Sequence, residues 1–397
     1  FDAMEAVKKE REGQVPTHLK DASRDKEGFG HGQGYLYPHA YRDHWVAQQY
    51  LPEALQGQVF YQPGHLGYEK RIEEQVARRR EEQLAAVVEG GREYAARGGT
   101  SGEILTFSPS SRAQERWLSR AIGTAARGLG AQRDRIFAQL AIQRHHLVLD
   151  LNAGTGLLTW EALRRVPEGC VWSLTRDAQM AAVLRQQVDA LPELQRPIVL
   201  DGGLDDLHDL LARNGDDDIL FDAIIGRNSL TRHSDKAGAM RLLATLIQPG
   251  GAISLAEVVP CEAQRLYKLI DISSLGDETA QALREAEEAI YANPDDAMVN
   301  WDADDLREAL SQTGWATITV SAERIETEYL VTAEQIDRWF SEQPSARPSY
   351  AQHLRQKLPQ DKIAQVRAVY ARQLVGKTCT WHSTIAFVHA ELPPKEA

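Results

Sequence analysis

The sequence predicts an α/β protein: a doubly wound, mostly parallel sheet with an antiparallel edge, preceded by a smaller, mainly helical segment. Three observations predict it. From about residue 104, short β-rich runs alternate regularly with amphipathic helices. The stretch VLDLNAGTGLLTW, residues 148–160, reads as a buried strand, a glycine turn and the first turn of a helix. Ahead of both, residues 67–98 read as a long polar helix ended by Gly98 and Gly99.

The elements follow in order. HLVLDL (146–151) leads into LLTWEALRRV, and CVWSL (170–174) into AQMAAVLRQQVDAL. PIVLD (197–201) leads into LHDLLARNG, and FDAIIG (221–226) into KAGAMRLLATLI. GAISLAEVV (251–259) is the fifth strand. Short apolar runs joined by helical crossovers imply parallel strands covered on both faces. Helices are expected over about 261–292 and 302–313, then the strand TITVSAERI, two helices across 332–373 and a last strand, CTWHSTIAFVHAEL. That makes seven strands, with the last pair antiparallel. LVGKT (374–378) resembles the end of a phosphate-binding loop, but Ala371 stands where the loop needs glycine, and a helix precedes instead of a strand. It reads as a glycine helix stop.

At 397 residues the chain has room for two or three domains, and 43% hydrophobic with 26% charged residues is an ordinary globular mixture. No apolar run approaches the about 20 residues needed to cross a bilayer, so no membrane partner is expected. Cys170, Cys261 and Cys379 are far apart with no CxxC spacing. They exclude a disulfide framework and a structural zinc, predict no metal site, and point to a reducing, cytoplasmic compartment. The net charge is −12, and residues 1–98 hold 14 basic and 16 acidic residues. The excess acid therefore lies in the carboxy-terminal part, which shows no basic face for non-specific nucleic-acid binding. The first residues, from Phe1, read as mid-helix without an initiator methionine, as in the tail of a longer polypeptide.

The glycine turn sits where α/β sheets bind nucleotide-like ligands, since glycines admit a ligand to the backbone and a helix start offers free N–H groups. A dinucleotide fingerprint would use Gly154 and Gly156 but needs glycine or alanine at Thr159, and an acid closing the second strand, which ends Leu174-Thr175-Arg176. Asp150-Leu151-Asn152-Ala153-Gly154-Thr155-Gly156 instead resembles the loop of class I S-adenosylmethionine-dependent methyltransferases. FDAIIGRN (221–228) and QPGGAISLAEV (248–258) resemble that family's fourth- and fifth-strand segments. The resemblance covers about residues 106–397 and implies a Rossmann-like, doubly wound seven-stranded methyltransferase sheet with S-adenosyl-L-methionine as cofactor. It further implies that Asp150 and the backbone of Gly154 and Gly156 hold the methionine end. Asp201 or Asp205 faces the adenine amine, and Gly226 and Asn228 line the floor beside the methyl group.

Two positions depart from the family pattern. Asn152 replaces the first loop glycine, a mild change because Asn tolerates left-handed backbone. Thr175 replaces the acid that grips the ribose hydroxyls. A hydrogen bond to a charged group contributes about 1.5–3 kcal/mol, so its loss weakens binding roughly ten- to a hundredfold. Asp177, two residues on, is the candidate to compensate, and a carboxylate at 175 would restore the grip. The loop GRNSLTRH (226–233) offers Asn228 and His233 as weak catalytic candidates, since methyl transfer needs mainly positioning and at most a general base. No Asn/Asp-Pro-Pro-aromatic segment is present, which argues against amino-methylation of flipped DNA bases.

The amino-terminal string VPTHLKDAS (15–23), GFGHGQGYLYPHAY (28–41), QQYLPEALQGQVFY (48–61) and GYEKRI (67–72) resembles the end of the carboxy-terminal domain of the RarA/MgsA replication-recombination ATPases, which include the Werner-helicase-interacting protein. The resemblance implies an assembly module, residues 1–78, from a tetrameric ATPase that partners DNA and replication proteins. Residues 79–105 then form a helical linker and 106–397 the methyltransferase-like domain. ATP and magnesium would belong only to a motor ahead of Phe1, so no ATPase activity is expected of this chain. Two functions follow: a methyltransferase tethered to a RarA module, or a scaffold whose methyltransferase-like domain binds without turnover.

Overall fold

The computed structural model describes residues 19, 61, 63–64, 66–96, 128–189, 191–343 and 348–394. The chain forms two compact units, Phe1–Ala131 and Gln132–Ala397. In the first, α1 (Gly67–Ala96) is one continuous helix across the 78/79 boundary that the sequence suggests. Its polar surface includes an Arg78–Glu74 pair one turn apart at 2.7 Å, and Glu69 near its start accepts the Gly64 amide at 2.7 Å. Tyr35, Tyr37, Tyr41, Trp45, Tyr50, Leu51 and Phe60 lie outside the described residues.

The second unit is built on one seven-stranded sheet of order β3-β2-β1-β4-β5-β7-β6. The strands are β1 (Leu147–Asp150), β2 (Cys170–Thr175), β3 (Ile198–Asp201), β4 (Phe221–Arg227), β5 (Ile247–Val258), β6 (Ala316–Leu330) and β7 (Thr378–Glu391). β1 to β5 pair in parallel, and β7 runs antiparallel to both β5 and β6. The sheet is therefore doubly wound with an antiparallel edge, as the alternation of runs predicts.

Strand alternation assigns side chains to two faces. Val148, Val171, Ala223, Ile225 and Phe387 pack against α2 (residues 128–138, through Ile136 and Phe137) and α3 (Leu157–Arg165, through Leu158 and Ala162). α4 (Ala178–Asp189) buries Leu184 and Val188 beside Ala153. On the opposite face Leu149, Trp172, Leu174, Ile224 and Leu255 meet α5 (Leu207–Asn214), α6 (Lys236–Leu246) and α8 (Ala303–Ser311). The helix between them in sequence, α7 (Asp277–Tyr291), belongs to a separate core.

That core is a helical cap. It joins residues between β5 and α8, among them Leu266, Leu275 and Leu283, to α9 (Ala333–Trp339), α10 (Tyr350–Leu354) and α11 (Gln360–Leu374) between β6 and β7. Pairing of β5 with β7 ends at Val258↔Ile385, whereas β6 and β7 continue from Arg324↔Thr384 to Leu330↔Thr378. This arm projects past the carboxyl ends of the parallel strands and carries the cap there.

The cap corrects the sequence reading. Residues 261–292 are not one helical stretch: three short 3-10 turns precede α7. Local polar bonds and a left-handed Gly276 (φ 78°) win over helix there; Glu287 accepts the Tyr267 amide at 3.0 Å and Asp271 the Ser273 amide at 2.9 Å. Likewise 332–373 holds three helices, because Pro348 and Pro359 set new starts with Ser349 capping α10. The Gly-Lys-Thr decoy is a helix stop: Gly376 (φ 76°) lies between α11 and β7.

Candidate functional site

The turn after β1 is held from below. Asp150 ends β1 fully buried, its carboxylate accepting from Thr159 Oγ1 at 2.8 Å and from the Asn152 amide at 3.2 Å. Thr159 Oγ1 also lies 3.0 Å from Ser173 Oγ on β2, so the three side chains tie turn, helix and neighbouring strand together. Burial pushes the Asp150 carboxyl up to about 6, and the Thr159 and Asn152 bonds pull it back. The acid thus supports the turn from within the protein, with no surface open to a ligand.

Gly154 (φ 53°) and Gly156 (φ 89°) adopt the left-handed backbone that side chains resist. A Cβ at Gly156 would lie 2.3 Å from Trp160 Nε1, so the residue before α3 has no room for a side chain. Asn152 is not the left-handed residue its type allows. Its amide Nδ2 instead donates to the Arg227 carbonyl at 2.7 Å and, more weakly, to that of Asn228 at 3.4 Å, joining the turn to the end of β4.

The segment after β4 forms the facing wall, and a residue the sequence reading passed over builds it. Glu257, fully buried near the end of β5, accepts from Ser229 N (2.8 Å) and Oγ (2.7 Å), Leu230 N (3.0 Å), and Thr231 N and Oγ1 (2.8 Å each). Asn228 is left-handed (φ 51°); its amide donates to the Ala256 carbonyl at 2.9 Å, and its Oδ1 accepts the Val258 amide at 3.1 Å. A Cβ at Gly226 would meet Ser229 Oγ at 2.8 Å, which explains the glycine at the floor. Trp301 Nε1 donates to the Thr231 carbonyl at 3.3 Å, and Lys236 sits 4.5 Å over the Trp301 ring. Burial lowers the Lys236 ammonium to about 8 and the Arg227 guanidinium to about 10, with Glu257 opposing both shifts.

The side toward β3 differs. Thr175 ends β2 buried, with the Asp177 amide 3.5 Å from its hydroxyl. Asp177 is exposed, and its carboxylate accepts the Met180 amide at 3.2 Å, at the start of α4. Asp201 is exposed at the end of β3, 3.9 Å from Arg185. Asp205 accepts from His233 Nε2 at 2.8 Å, while His233 Nδ1 is buried with no hydrogen-bond partner among the described residues. Arg176 reaches from β2 to the Ser229 carbonyl at 2.6 Å.

The structure therefore brings Asp150, Asn152, Gly154, Gly156, Gly226 and Asn228 together at the ends of β1 and β4. Thr175 and Asp177 stand at the end of β2, and Asp201, Asp205 and His233 flank β3 and the β4 loop. Sequence reasoning missed Thr159, Arg176, Lys236, Glu257 and Trp301. Only Glu257 carried a legible signal, as a lone acid inside the apolar run ISLAEVV. Among the described residues no group of His, Cys, Asp and Glu is arranged to hold a metal ion, and no helix is long and apolar enough to cross a membrane.

Comparison with known proteins gives two kinds of likeness. The family model described as MgsA AAA+ ATPase C terminal matches residues 1–80. Replication-associated recombination protein A of Bacillus subtilis (strain 168) is 40% identical over 67 residues, which are 17% of this chain and 16% of that protein. An uncharacterized AAA domain-containing protein of Mycobacterium tuberculosis is 39% identical over 71 residues, 18% of this chain and 16% of that protein. The chain thus spans less than a fifth of these relatives' length. Among solved structures, a putative methyltransferase from Bacillus halodurans C-125 aligns with a TM-score of 0.38 at 10% identity, over 66% of this chain and 99% of that one. A mycolic acid cyclopropane synthase complexed with SAH aligns with a TM-score of 0.39 at 16% identity, over 72% and 90%. Residues 1–80 therefore match the MgsA-type C-terminal family model and are similar to part of replication-associated recombination protein A, in one chain with a seven-stranded, doubly wound α/β unit.

Proposed function

We propose that the α/β unit binds S-adenosyl-L-methionine outside the carboxyl ends of β1 and β4 and transfers its methyl group, and that the amino-terminal segment tethers this activity to a RarA-type assembly. The observation that carries the reading is the turn itself. Two left-handed glycines precede a helix start at the point where the strand order reverses, and a Cβ at Gly154 would meet nothing nearer than the Asn152 carbonyl at 3.9 Å. The open backbone at Gly154 lets a ligand approach to van der Waals distance.

When bound, the cofactor supplies an electrophilic methyl group, and the protein's part is to hold donor and acceptor in line. The Gly154–Gly156 backbone and the start of α3 would hold the methionine end, with Asp150 acting through Thr159 to keep the turn in place. Asp201, exposed at the end of β3, would accept from the adenine amine. Gly226 and Asn228 form the floor, fixed by Glu257. His233 is the candidate base: Asp205 on Nε2 leaves Nδ1 as the proton acceptor. In the whole protein, assembly as a homo-oligomer and contact with DNA and replication proteins would come through the RarA-type part.

The buried Thr175, in place of a ribose-binding acid, favours a second reading: a scaffold that binds weakly and does not turn over. Calorimetric titration with S-adenosylhomocysteine tests the cofactor reading. Wild type should bind, and Gly156→Ala should lose at least tenfold in affinity. Gly250→Ala, equally left-handed but with open space around it, serves as the backbone-strain control and should bind as wild type does. No binding by wild type rejects the cofactor reading.

A further inference from the structure

The sheet order fixes where a ligand lies in this unit. The chain runs outward from β1 to β2 and β3 and returns to β4 on the other side of β1. In open α/β sheets, ligands occupy the crevice outside the carboxyl ends at such a reversal. Arg176 lies across that crevice. It follows the end of β2, and its guanidinium donates to the carbonyl of Ser229, beyond the end of β4, at 2.6 Å. Adjacent strands are about 4.8 Å apart, so a link from β2 to β4 covers roughly 10 Å. It passes over the end of β1, where the glycine turn begins.

Arg176 is exposed, and among the described residues it forms no ion pair, although the chain has a net charge of −12 and Asp177 follows it directly. The acids after β2 and at and after the end of β3 are engaged elsewhere: Asp177 accepts the Met180 amide, Asp201 lies by Arg185, and Asp205 accepts from His233. Other arginines of the unit do face carboxylates, as Arg164 and Arg165 face Glu161 at 3.1 and 2.9 Å. A guanidinium has five N–H donors in a planar fork suited to carboxylate or phosphate. One bond to a backbone carbonyl leaves most of that capacity for a ligand, and the start of α3 adds partial positive charge at the same end.

We propose that Arg176 binds a carboxylate or phosphate group of the molecule in the crevice and thereby sets which nucleoside ligands the site accepts. The proposal rests on the cofactor crevice assigned above. Two sources can supply the anion: the amino-acid carboxylate of an S-adenosyl compound, or a nucleotide phosphate. Calorimetry with S-adenosylhomocysteine, 5′-methylthioadenosine (which lacks the carboxylate) and ADP, on wild type, Arg176→Gln and Arg176→Lys, separates them. Urea unfolding checks that each variant is folded. If the carboxylate is bound, Arg176→Gln weakens S-adenosylhomocysteine about ten- to a hundredfold and leaves methylthioadenosine unchanged, with Arg176→Lys in between. If a phosphate is bound, the loss falls on ADP alone. Equal affinity of wild type and Arg176→Gln for every ligand overturns the proposal while leaving the cofactor crevice standing. So does an equal loss for S-adenosylhomocysteine and methylthioadenosine. A wild type that binds none of the three rejects the crevice and the proposal together.

Discussion

Asp150 supports the glycine turn from within the protein, at 0% exposure. Its carboxylate accepts from Thr159 and Asn152, with Ser173 bonded in turn to Thr159, and burial raises its pKa to about 6. Between 3.8 and about 6 the folded chain holds a proton there that the unfolded chain has released. The contribution of this group to stability therefore declines as pH rises through that window, by about 3 kcal/mol in all, and the penalty is complete above it. Asp150→Asn has no charge to bury. The unfolding free energy of wild type minus that of the variant, from urea titrations at pH 4 to 7, should fall by about 2–3 kcal/mol across the range. A flat or rising difference would show that the group does not titrate there. The acid at the strand end was legible as a sequence pattern, but its inward orientation was not, because it depends on Thr159 nine residues on. The two asparagines make the same point: Asn152 was expected to tolerate a left-handed backbone, yet Asn228 is the one that adopts it.

At the scale of elements, the segment from Asn228 to His233 is as fixed as a strand without being one. Glu257 satisfies three consecutive amides and two hydroxyls, and Lys236 and Trp301 close over the far end. In Glu257→Gln, an N–H₂ group faces donors that need an acceptor, and the charge is gone. The variant should lose about 3 kcal/mol or more of stability by urea unfolding. A loss under about 1 kcal/mol would mean that the segment does not depend on this carboxylate. The parallel strands were legible because strands buried on both faces read as continuous apolar runs. The cap was not, since its 3-10 turns rest on bonds such as that from the Tyr267 amide to Glu287, twenty residues away in sequence.

Across the whole molecule, the two units divide at residue 131, whereas the sequence places a boundary at 105/106. The amino-terminal match was legible through its aromatic- and glycine-rich string, and the α/β unit through its periodicity and its turn. The ligand itself was legible only as a family expectation. Self-association is expected to reside ahead of residue 106, so light scattering should find residues 106–397 monomeric. An oligomer formed by that part alone would move assembly into the α/β unit. The central claim is that the glycine turn holds an S-adenosyl cofactor. Calorimetric titration of the chain with S-adenosylhomocysteine tests it most directly: the account predicts saturable one-to-one binding that Gly156→Ala weakens at least tenfold and Gly250→Ala leaves unchanged, and it is contradicted if wild type gives neither binding heat nor a thermal shift at millimolar ligand.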